Sequence, residues 1–101
     1  MKQILVRYKT APDKADENQR LIENVFKELQ AKTPDGMGYL VLRLADGTFV
    51  HFKVDTREDA DPIHALDAFR TFQSSIKERC IEPPQAMEAT IVGNYRVLSE
   101  R

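Results

Sequence analysis

A single cysteine, Cys80, rules out an internal disulfide and fits a reducing cytoplasm. No apolar run approaches the roughly 18 residues of a membrane span. In the opening MKQILVRYKT, charge returns at Arg7, too soon for a signal-peptide core. An excess of one charge is also missing. Fifteen basic residues against sixteen acidic give a net charge of −1, which argues against a nucleic-acid or membrane partner. There is no repeat and no low-complexity tract, and the one proline pair, Pro83-Pro84, reads as a connector. The two histidines, His51 and His64, belong to no His-Glu-x-x-His pattern, and His51 with Asp55 makes too thin a pair for a metal. No cofactor is expected.

What is present describes one soluble α+β domain spanning residues 1–101, with 42% hydrophobic and 31% charged residues. A chain of this length buries roughly 65% of its unfolded surface. That suffices for one core but predicts no large ligand cavity within a single chain.

Gln3 to Lys9 alternates weakly and reads as a strand. The period then lengthens: Leu21, Ile22, Val25 and Leu29 recur at helical spacing, with Asp13 as a cap and Asp16 near the positive end of the dipole. Thr33-Pro34-Asp35-Gly36 ends that helix. Two strands follow, MGYLVLRL and TFVHFKV, joined by Ala45-Asp46-Gly47. A second helix is expected from Pro62, capped by Asp61, to about Arg79, with Leu66, Phe69, Phe72, Ile76 and Cys80 on its apolar face. Beyond the prolines, MEATIVGNYRVL reads as a long last strand. The order β-α-β-β-α-β predicts a ferredoxin-like fold, a four-stranded antiparallel sheet with two helices on one face.

A three-residue hairpin loop with Gly47 left-handed is a common form. It pairs Tyr39 with Lys53 and Val41 with His51. It also gathers Leu40, Leu42, Leu44, Val50, Phe52 and Val54 on one side, which points that side at the helices. The other face then holds Tyr39, Val41, Arg43, Phe49, His51 and Lys53, joined by Leu5 and Arg7 and by Thr90, Val92, Asn94 and Arg96 from the last strand. Leu5, Val41, Phe49, Val92 and Tyr39 form an apolar patch there, which predicts a homodimer through this face. The charges beside it are mostly basic, so an anionic or phenolic small ligand fits, and a cavity between two subunits is the expected place for it.

The sequence also resembles the small dimeric α+β barrel proteins grouped with the antibiotic biosynthesis monooxygenases. The likeness runs through Arg7-Tyr8-Lys9-Thr10, Asp16-Glu17-Asn18-Gln19, Arg79 to Pro84, and Val92 to Arg96. It implies a dimer. In some members it implies oxidation of phenolic or quinol substrates, or haem degradation, without a conventional flavin or metal cofactor. This chain has no tryptophan, which several oxidising members place in the pocket, and no catalytic motif carries over.

His51 is the candidate catalytic residue, its ordinary pKa near 6.5 suiting proton abstraction. The plainer reading, which the lack of a triad or metal partner favours, is a half-buried strand histidine bonded across a dimer contact. Tyr39, Arg43, Lys53, Asn94 and Arg96 are the candidate ligand-binding residues, and each also suits a plain interface role. His64 is expected at the surface, and Cys80 as an inert thiol on the apolar stripe. Phe49-Val50-His51-Phe52 matches the end of an RNA-recognition strand, but the basic and aromatic positions before it hold Ala45 to Thr48. Two functions stay open. One is an oxygenase-like enzyme acting on a small aromatic or quinol substrate. The other is a non-catalytic dimeric module that binds a ligand or a protein.

Overall fold

The computed structural model describes residues 2–56 and 62–97. The chain runs through β1 (Lys2–Thr10), α1 (Ala15–Lys32), β2 (Met37–Arg43), β3 (Thr48–Asp55), α2 (Asp67–Ser74), α3 (Ile76–Arg79) and β4 (Cys80–Glu88). The strands make one antiparallel sheet in the order β2-β3-β1-β4, and the helices pack on one of its faces. This is the expected ferredoxin-like arrangement. No helix among the described residues is long and apolar enough to cross a membrane.

In α1 the predicted stripe faces the sheet: Ile22 and Val25 are buried, and Leu21, Phe26 and Leu29 pack against the core. Asp13 lies in a single 3-10 turn, Pro12–Lys14, and makes no capping bond. The helix closes on Thr33 in the left-handed conformation, whose N–H donates to the Leu29 carbonyl at 2.7 Å. The second helix is not continuous. Leu66 is extended and Ser75 breaks the helical path, leaving α2 and α3 as separate pieces after a 3-10 turn at Pro62–Ala65. Asp61, its expected cap, lies outside the described residues. Glu28 from α1 does the capping instead, accepting the Ala68 N–H at 2.9 Å.

The last strand corrects the sequence reading. It spans Cys80–Glu88 and carries Pro83 and Pro84 within it. An edge strand tolerates prolines, because one row of its N–H groups has no neighbour to meet. The register shifts between Arg7↔Gln85 and Lys9↔Glu82, so both prolines oppose Tyr8 alone, as in a bulge. The residues after Glu88 follow an irregular path, which removes Thr90, Val92, Asn94 and Arg96 from the sheet.

The hairpin register is the predicted one. Gly47 has φ 88°, the Leu44 N–H reaches the Thr48 carbonyl at 2.8 Å, and Tyr39↔Lys53 and Val41↔His51 pair. The direction of its faces is reversed. Phe49 and His51 are buried under the helices together with Tyr8. Leu40, Leu42 and Leu44 lie on the open face with Val50, Phe52 and Val54, and Leu42 is 49% exposed. Leu5 and Arg7 pair with Phe52 and Val50 and so belong to the open face, not to His51. Right-handed β-α-β crossovers, not a count of apolar side chains, decide which face the helices cover.

Candidate functional site

Three strands bring three side chains into line on the helix-covered face. His51 stands on β3, and its diagonal neighbours on the flanking strands are Tyr8 of β1 and Tyr39 of β2. The Tyr8 hydroxyl is 2.7 Å from His51 Nε2, and the Tyr39 hydroxyl is 2.5 Å from Nδ1. The imidazole is held between two phenols. From there a chain of bonds continues into the core. Asn18 of α1 donates its amide to the Tyr8 hydroxyl at 2.9 Å, and Arg79 donates Nε–H to Asn18 Oδ1 at 2.9 Å.

Arg79 is 1% exposed, and Asn18 is fully buried. A buried guanidinium requires acceptors. Besides Asn18 it donates to Ser75 Oγ at 2.6 Å and to the Phe72 carbonyl at 2.8 Å, and it lies 5.2 Å over the Phe72 ring. The break between α2 and α3 is thus bonded to the same polar chain that passes through His51 to Tyr39.

Burial sets the ionisation states. Desolvation lowers the His51 pKa from 6.5 to about 4, so the ring is neutral at pH 7. Desolvation pushes both phenols up, and for Tyr8 the Asn18 hydrogen bond opposes that rise in part. Cys80, half-buried at the start of β4, is likewise raised by burial, which suits an inert thiol.

The two tyrosines and His51 form part of the wall of a cavity of about 520 Å³. Ile4, Val6, Lys53 and Asp55 form much of the rest of the sheet side, and Ile63, Phe69, Phe72 and Ile76 form much of the opposite side. Ligand sites commonly occupy roughly 300–1,000 Å³ with mainly apolar walls and a few polar groups. This cavity lies inside one chain, between sheet and helices. That corrects two expectations, that a chain this short encloses no sizeable cavity and that the His51 face meets a second subunit.

Of the residues singled out from sequence, His51, Tyr39 and Lys53 meet at this cavity, where Lys53 Nζ is 3.3 Å from Asp55. Arg43 does not line it. Its guanidinium bonds Asp16 and Gln19 of α1 at 2.9 and 2.7 Å. Asn94 and Arg96 are away from it in the irregular stretch, where Asn94 accepts the Val97 N–H and Arg96 stacks over Tyr95. His64 is exposed at the rim, edge-on to Phe69. Tyr8, Asn18 and Arg79 were not candidates. Each sits in one of the short stretches that carry the family likeness, and that was the available signal. Among the described residues, no group of three or more His, Cys, Asp or Glu side chains is placed to hold a metal ion.

No protein-family model matches the chain, and no curated protein does. Solved structures do. A protein from Caulobacter crescentus, provisionally named an antibiotic biosynthesis monooxygenase, superposes with a TM-score of 0.72 at 19% identity, over 90% of this chain and 89% of its own. One of the same provisional name from Deinococcus radiodurans gives 0.69 at 19% identity, over 94% and 98%. A Nitrosomonas europaea protein of unknown function gives 0.71 at 13% identity, over 96% and 94%. At such identities the likeness is one of architecture, and no residue role travels with it. The chain has the ferredoxin-like fold of these α+β proteins, two of which carry the provisional name of antibiotic biosynthesis monooxygenases.

Proposed function

We propose that this chain is a small monooxygenase-like enzyme that works without a cofactor on a phenolic or quinol substrate held in the cavity beneath α2. The observation that carries the reading is the phenol–imidazole–phenol set in the wall of an otherwise largely apolar, aromatic-lined cavity. A flat aromatic ring suits walls built by Phe69 and Phe72, and its oxygen suits the Tyr39–His51 pair. In the overall reaction molecular oxygen places one atom on the ring and the other leaves as water. The substrate's hydroxyl hydrogen and one ring hydrogen go into that water, and the ring becomes a quinone. With a pKa near 4, His51 is a weak base, so its part is to hold Tyr39 against the substrate oxygen. Oxygen uptake with a panel of naphthols and quinols tests this, with uptake expected for at least one and much reduced in His51→Ala. No uptake with any of them sinks it.

A second reading, a non-catalytic ligand-binding module, is favoured by one observation: both ring nitrogens of His51 are already engaged. It predicts saturable binding of the same compounds without oxygen consumption. In either case we propose a homodimer formed through the open sheet face. Its support is the exposed row Leu40, Leu42 and Leu44, with Met87 on β4.

A further inference from the structure

The polar chain from Arg79 to Tyr39 has a direction, and the direction is set at its buried end. A guanidinium only donates, so the Asn18 atom facing Arg79 is the carbonyl oxygen and the amide nitrogen faces Tyr8. The Tyr8 oxygen therefore accepts. Its one hydrogen then has a single acceptor among the described residues, His51 Nε2 at 2.7 Å. Were Nε2 protonated instead, the Tyr8 hydroxyl hydrogen would be left without an acceptor on a residue only 1% exposed. With Nε2 bare, the proton of neutral His51 lies on Nδ1 and is donated to the Tyr39 oxygen. The Tyr39 hydroxyl hydrogen is the one left over, and Tyr39 lines the cavity.

We propose that Arg79 and Asn18 are positioning residues which orient this hydrogen-bond chain so that Tyr39 presents a donor to the cavity. The ligand it selects carries an acceptor oxygen, a ring carbonyl or a phenolate, at that point. The ligand class rests on the cavity being a binding site; the orientation of the chain does not. For an oxidation that passes through a phenolate, such a donor would stabilise the oxyanion.

The His51 tautomer is read on the ligand-free protein by long-range proton–nitrogen NMR at pH 7, with His64→Gln used to assign the rings. The Nδ1–H form is expected, and an Nε2–H ring overturns the proposal. Asn18→Asp is the decisive variant. It is nearly isosteric and keeps an acceptor for Arg79, but its second oxygen also accepts. Tyr8 then donates to it, Nε2–H donates to Tyr8, and Tyr39 donates to Nδ1. The tautomer is expected to switch to Nε2–H, and an unchanged one overturns the relay. Acetophenone, whose oxygen only accepts, is the ligand probe. Wild type is expected to bind it about tenfold or more tightly than Asn18→Asp or Tyr39→Phe. Equal binding by all three, or none by wild type, overturns the donor assignment at Tyr39. Oxygen uptake is measured separately, so a chain with the predicted tautomer and no turnover fails only as an oxygenase.

Discussion

Asn18 and Arg79 are 61 residues apart in the chain and meet in the core through one 2.9 Å hydrogen bond, with neither exposed by more than 1%. That contact ties α1 to the end of α3 and joins both to the strand tyrosine Tyr8. Its consequences for stability are specific.

Arg79→Lys keeps the charge but lacks the planar fork that reaches Asn18, Ser75 and Phe72 at once. Urea unfolding should show a loss of about 2 to 3 kcal/mol. An unchanged midpoint would mean that a lysine finds equivalent acceptors.

Tyr8→Phe removes a hydroxyl that serves both Asn18 and His51 while keeping the ring stacked on Phe49. Two buried polar groups lose a partner, and a cost of about 1 to 3 kcal/mol is expected in the same measurement. A neutral effect would imply that water replaces the hydroxyl.

Stability should also fall on mild acidification because of His51. Its folded pKa, about 4, is below the 6.5 expected when unfolded, so the unfolded chain binds more protons between those values. The neutral ring costs nothing above pH 6.5, and stability is lost as pH falls from there towards 4. Comparing wild type with His51→Gln by denaturation at pH 7 and 4.5 isolates this group. Wild type should lose about 2 to 3 kcal/mol more than the variant. Equal losses would show that the ring is not desolvated.

Gly47→Ala tests the hairpin. Gly47 has φ 88°, and an added Cβ would come within 3.3 Å of the Thr10 carbonyl oxygen. Strain and crowding together predict a loss of about 1 to 2 kcal/mol, read as a lowered unfolding midpoint.

On the open face, Leu42→Glu places a charge in the exposed leucine row without touching the core. Sedimentation should show a dimeric wild type and a monomeric variant with an unchanged circular dichroism spectrum. A monomeric wild type, or a variant that stays dimeric, would count against this face as the contact.

Much of the local structure could be read from residue order alone. The stripe Ile22 and Val25, the stop at Thr33-Pro34 and the pairing set by Ala45-Asp46-Gly47 are short-range matters of period and turn geometry. Pro83-Pro84 misled for an equally physical reason. A proline is barred from a central strand but not from an edge, and edge position depends on strand order. The site was half legible. His51, Tyr39 and Lys53 stood out, but Tyr8, Asn18 and Arg79 come together only through contacts 10 to 61 residues apart in sequence.

The alternation of side chains along β2 and β3 established two rows that must face opposite ways, and the hairpin matched them correctly. Which row met the helices was not contained in that alternation, and the wholly apolar row, the natural choice for the core, is the one left on the open face. The crossover handedness made the choice. It became tolerable to bury Tyr8 and His51, with Tyr39 half-buried beside them, and to leave the leucines outside, once Asn18 and Arg79 arrived from other elements to complete the hydrogen bonds.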